Sequence, residues 1–98
     1  MHIEGISLNA THDPGSHHRA AKAAHERAAN THERAAELHE ESASFHEEHA
    51  VEMREKGHPE WVERAERLAD HERELAEQQR ANADKHRRSA EAEPVEED

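Results

Sequence analysis

The sequence contains no cysteine and no tyrosine, one phenylalanine and one tryptophan, three glycines and three prolines. Each shortage closes something off. Without cysteine there is no disulfide framework and no thiolate metal site. With only Phe45 and Trp61, a haem pocket or a base-stacking surface has little to be built from. No apolar run approaches the roughly 20 residues that cross a bilayer. The first residues, MHIEGISLNATHDPGS, have neither the basic start nor the apolar stretch of a secretory signal. A cytoplasmic location is therefore expected, with no membrane partner, and the sequon Asn9-Ala10-Thr11 is read as chance. A glycine-rich phosphate loop is also missing. Ser42 and Ser44 stand near histidines, but a nucleophile needs an oxyanion site and a cleft. No catalytic residue is assigned, and the chain is not expected to be an enzyme.

What the chain has in quantity is charge, alanine and histidine. Charged residues make up 38% of it, the formal net charge is −11, and twelve of its 98 residues are histidine. That balance favours long solvated helices over a thick core. Residues 1–13 read as irregular, with Ile3, Ile6 and Leu8 as the apolar anchors. Asp13 before Pro14 suits a helix start, because Asp caps free amides and Pro fits the first turn; Ser16 is a second candidate cap. A first helix is expected over 14–56 and a turn at 57–58. A second helix follows over 59–92, and then an acidic tail over 93–98. Gly57 suits the end of one helix and Pro59 the start of the next. Two long helices joined by so short a turn make an all-α, coiled-coil-like antiparallel hairpin.

Histidine recurs every seven residues, at His18, His25, His32, His39 and His46. At 100° per residue this stripe is flanked by Ala21, Ala28, Ala35 and Ser42 on one side and by Ala29, Ala36, Ala43 and Ala50 on the other. Glu26, Glu33, Glu40 and Glu47 fall with several arginines on the far face. On the second helix the row Ala65, Glu72, Gln79, His86 lies between Trp61, Leu68, Leu75, Asn82 and Val62, Ala69, Ala76, Ala83, Ala90. Polar groups thus occupy the centre of both packing faces. Seven is the repeat of a two-helix seam, and polar residues there fix register at a cost in stability. The register expected from a turn near 57–59 sets Met53 against Ala65, His46 against Glu72, His39 against Gln79 and His32 against His86. The large apolar residues crowd toward the turn, and beyond Ala36 and Ala76 only alanine and histidine remain to be buried. Such a hairpin is marginal alone, so a homo-oligomer is expected, preferably a dimer forming a four-helix bundle. An antiparallel crossing of two first helices, with His32 against its own copy, is the alternative.

The tandem heptads HERAANTHERAAELHEE resemble those of uncharacterised short bacterial helical proteins, actinobacterial in type and rich in Ala, His and Glu. The likeness spans about residues 17–56. It implies a small intracellular helical protein and brings no catalytic or ligand residues with it.

Two further readings follow from the histidines. One is binding or buffering of a transition metal, with Zn, Ni or Cu as the candidate ions. Rungs seven apart are separated by about 10.5 Å along a helix, so two on one helix cannot share an ion with bonds of about 2 Å. Only His46 and His49 have chelating spacing, and HEEH is one residue short of the metalloprotease HExxH. Glu72 is a candidate third ligand across the seam, and His32 with His86 is a second candidate pair. The other reading is pH response. The turn half, residues 37–77, holds fourteen acids against five bases. His39, His46 and His49 there should favour the protonated form, with Glu72 facing His46. His25, His32 and His86 lie near arginines and lysines and should favour the neutral form, so mild acid should loosen the open end first. The basic open end lacks interleaved aromatics and the global charge is negative, so nucleic acid is not expected as a partner.

Overall fold

The structure, a computed structural model, describes residues 14–94. The irregular N-terminal segment, with its anchors Ile3, Ile6 and Leu8 and the candidate cap Asp13, lies outside the described residues, as do the last four residues of the acidic tail. Two helices, α1 (Pro14–Glu55) and α2 (Pro59–Ala92), fold back on each other. The fold is an all-α antiparallel hairpin. Alanine, glutamate and arginine are strong helix formers, and no proline interrupts either run. Arg54 in the last turn of α1 and Glu60 in the first turn of α2 have the signs that the helix dipoles favour.

The turn follows from two residues. Gly57 has φ +76°, a left-handed conformation that glycine adopts without steric cost. Its N–H donates to the Arg54 carbonyl at 3.1 Å, and the N–H of His58 donates to the Met53 carbonyl at 2.9 Å. These two bonds close α1 in the Schellman pattern. The His58 carbonyl then accepts from the N–H groups of Trp61 and Val62, both at 3.1 Å, and Pro59 opens α2.

The seam is made of methyl groups. Its buried residues are Ala29, Ala36, Ala43 and Ala50 on α1 and Val62, Ala65, Ala69, Ala76, Ala83 and Ala90 on α2. Val62 is the largest of them. Met53 packs half-buried against Ala50, Val62 and Ala65 beside the turn. No charged or polar residue in the described chain is fully buried, so the seam histidines are all partly solvated.

Met53 packs beside Ala65 as expected, but the histidine pairings differ from the expected ones by one heptad. Glu72 bonds His39 rather than His46, Gln79 bonds His32 rather than His39, and the bond to His86 comes from His25 rather than His32. The centre of the turn lies between the two alternatives, so its position does not decide. Charge does. Along one flank of the seam, Glu33, Glu40, Glu47 and Arg54 of α1 meet Arg87, Arg80, Arg73 and Glu66 of α2. The rung nearest the turn has its signs reversed. In the expected register this flank would keep two opposite-charge rungs and set Arg54 against Arg73. In the observed one all four rungs are matched.

Candidate functional site

The polar ladder starts from the heptad spacing, which points each imidazole of α1 at α2 between alanine rows. Four rungs are formed, each through Nδ1. His18 donates to Glu93 Oε1 at 2.8 Å, His32 to Gln79 Oε1 at 2.6 Å, and His39 to Glu72 Oε1 at 2.6 Å. A carboxylate or an amide oxygen can only accept, so in these rungs the proton is on Nδ1. The fourth rung joins two imidazoles: His25 Nδ1 lies 3.0 Å from His86 Nδ1. One ring must donate and the other accept, so the two are opposite tautomers. The His86 ring also stacks on His32, with centroids 5.4 Å apart and planes inclined by 12°.

The ion ladder flanks these rungs. Each of its members follows a seam position in sequence, as Glu33 follows His32 and Arg80 follows Gln79. Long side chains then reach back along the groove. Arg80 is its centre, bidentate to Glu40 at 2.5 and 2.9 Å and also bonded to Glu33 at 3.3 Å. Glu33 in turn accepts from Arg87 at 3.0 Å. The hydrogen bonds from Arg80 hold the Glu40 carboxyl below its ordinary range, against a smaller opposing effect of desolvation. The same pair holds the Arg80 guanidinium still more firmly protonated. Sequence reasoning put the glutamates on the outer face and missed this ladder. The signal was present in the heptad spacing of Glu33, Glu40 and Glu47 and its mirror in Arg73, Arg80 and Arg87.

The opposite flank is apolar and open. Phe45 is 64% exposed, Leu38 54%, Trp61 48% and Leu68 41%. Phe45, His46, His49, Trp61, Arg64, Ala65 and Leu68 line a groove there of about 260 Å³. The Phe45 ring meets His46 edge-on at 5.7 Å, and Arg64 lies over Trp61 at 5.9 Å. These residues were expected to thicken the core of the turn half. They lie outside it because α1 and α2 approach closely enough for alanine to fill the space between them.

The structure separates the metal-ligand set expected from the sequence. His46 and His49 share the apolar groove, and His49 leans toward Glu52 at 3.8 Å. Glu72 is one heptad away, bonded to His39. His32 and His86 touch through ring faces, while the Nδ1 atom of each is engaged elsewhere. Among the described residues no group of three or more His, Asp or Glu side chains is arranged to hold a metal ion. His18, at the open end, meets the carboxylate of Glu93, and the open-end arginines Arg80 and Arg87 are paired with Glu33. No helix among the described residues is long and apolar enough to cross a membrane. No protein-family model, curated protein or solved structure matches this chain.

Proposed function

We propose that this chain is a non-enzymatic self-assembly module in which the polar seam fixes one register and the apolar flank mates with a second copy. One observation carries the reading: the hairpin buries alanines and a valine, and leaves Leu38, Phe45, Trp61 and Leu68 outside. A two-helix unit that covers so little apolar area is hard to stabilise alone. Residues spaced by heptads on both helices make one continuous stripe. Stacking two such stripes builds a four-helix bundle whose second core is leucine and aromatic. The same stripe on each copy suits an isologous two-fold contact. An antiparallel arrangement is favoured electrostatically, since it brings the acid-rich turn of each hairpin toward the arginine-bearing middle of the other. The histidine rungs serve as specificity elements within each hairpin, as polar seam residues do in coiled coils.

Light scattering on the full chain at tens of micromolar should give twice the 11.2 kDa chain mass. Phe45→Asp combined with Leu68→Asp should reduce it to the monomer. Val51→Asp should not, because Val51 is exposed on the ion-ladder flank beside Glu47, Arg54 and Arg73. A fully helical, cooperatively melting monomer in the unmodified chain overturns the proposal. So does a dimer that survives the Phe45/Leu68 double substitution.

A further inference from the structure

The rung between His25 and His86 differs in kind from the others. At the remaining three, α2 or its C-cap residue supplies an acceptor oxygen, from Glu72, Gln79 or Glu93. A carboxylate or amide at residue 86 would serve a purely structural rung equally well. Instead two basic nitrogens converge, one from each helix, 3.0 Å apart. The geometry points to a bis-imidazole site for a divalent transition metal, closed by His25 and His86 across the open end of the seam.

Two imidazole nitrogens that meet across the seam suit the divalent ions that take nitrogen ligands at about 2.0–2.1 Å, Ni²⁺, Cu²⁺ and Zn²⁺. A small rotation of each ring turns both Nδ1 lone pairs from each other toward a shared ion. Water would complete the coordination. Proton bookkeeping is simple: the ring that donates through Nδ1 in the free pair moves its proton to Nε2. Both neutral rings then offer a lone pair on Nδ1, and no net proton is released. His32 holds the His86 ring plane by stacking at 5.4 Å. Of the two cations adjacent to His86 in sequence, Arg87 is paired with Glu33 at 3.0 Å and Lys85 is exposed to solvent. These two ligands stand on different helices 61 residues apart in the chain, so an ion there clasps α1 to α2. A chelate on one helix, such as His46 with His49, would not.

Calorimetric titration of the full chain with Ni²⁺ at pH 7.5 should show one equivalent per chain that binds more tightly than the rest. The site lies within a single hairpin, so this stoichiometry holds whether or not the chain dimerises. His25→Ala and His86→Ala should each weaken that equivalent at least tenfold, whereas His46→Ala with His49→Ala should leave it. Saturating Ni²⁺ should raise the melting temperature of the unmodified chain and of the His46/His49 variant, and should not raise that of His25→Ala. Helicity at 222 nm without metal checks that each variant is folded. If a helical His25→Ala chain retains the tight equivalent, the inference fails. It fails equally if every histidine substitution weakens binding by the same factor, or if Ni²⁺ binds without raising the melting temperature.

Discussion

Replacing Ala36 with leucine tests the seam most sharply, because simple hydrophobicity and close packing predict opposite signs. Ala36 is fully buried, as is Ala76 on the facing helix, and Ala29 and Ala43 lie in the same row one heptad to either side. Leucine is nearly as good a helix former as alanine, so α1 itself is not weakened. Transfer of a larger apolar side chain from water would favour the variant by about 1.5 kcal/mol or more if space existed. The seam has room for a methyl group only. Three added carbons must push the helices apart, and the rungs nearest Ala36, His32–Gln79 and His39–Glu72, are both at 2.6 Å with no slack to give. Overpacking of this kind costs about 1–3 kcal/mol. With a urea dependence of about 1 kcal/mol/M for a small domain, the unfolding midpoint should fall by about 1–3 M. Ala81→Leu, at an exposed position of α2, is the matched control and should move the midpoint little. Urea titration followed at 222 nm measures both, with chain concentration held fixed because association adds apparent stability. If Ala36→Leu melts at or above the Ala81→Leu midpoint, the seam is looser than described and the account of why the large side chains lie outside it is wrong.

Two other outcomes follow from the ion ladder. Glu66→Arg should destabilise the hairpin by setting two cations together where Arg54 and Glu66 now bond at 2.8 Å; Arg54→Glu in the same chain should restore it. The double-mutant coupling energy should be about 0.2–1 kcal/mol, as for other exposed pairs, and zero coupling means that this pair has no part in setting the register. Glu40, whose carboxyl Arg80 holds below the ordinary range, contributes stability above the unfolded carboxylate value, and that contribution is lost as pH falls through the lowered folded one. Carboxyl-carbon NMR should show Glu40 titrating below the ordinary carboxylate range, and Arg80→Met should return it to that range. An unmodified chain in which Glu40 titrates in the ordinary range contradicts the bidentate geometry.

The hairpin and the composition of its seam were legible because they depend on angular position alone. Stepping 100° per residue puts Ala29, Ala36, Ala43 and Ala50 beside the histidines whatever the partner does, and Gly57 with Pro59 marks the reversal. Register depends on relative displacement along the axis, which the angular pattern does not contain. A seven-residue repeat on both helices makes every heptad shift look alike from the seam. The tie is broken outside it, at Arg54 and Glu66, where the sign order of the ladder inverts. The misplaced hydrophobic residues have a related cause. Trp61 and Leu68 belong to a row next to the seam, and whether such a row is covered depends on how far apart the helices stand. Alanine sets that separation, and bulk alone gave the wrong expectation for Phe45 as well.

The coincidence of three seven-residue repeats, alanine row, polar rung and ion rung, gives the hairpin a unit of length. Each unit is one heptad from each arm and advances about 10.5 Å along the axis, with contacts mainly to the units before and after it, as in repeat proteins. An equal insertion or deletion of seven residues in both arms leaves every surviving rung facing a rung and leaves the turn untouched. A seven-residue change in one arm alone still sets rung against rung in the seam, but it brings like charges together where the flank inverts its signs, Arg54 against Arg73 or Glu47 against Glu66. The chain is thus a ruler graduated in steps of about 10 Å, one that duplication of a short segment can lengthen only in matched pairs, and whose two ends are told apart by what is written on the last graduation: Arg54 with Glu66 at the turn, His18 with Glu93 at the mouth.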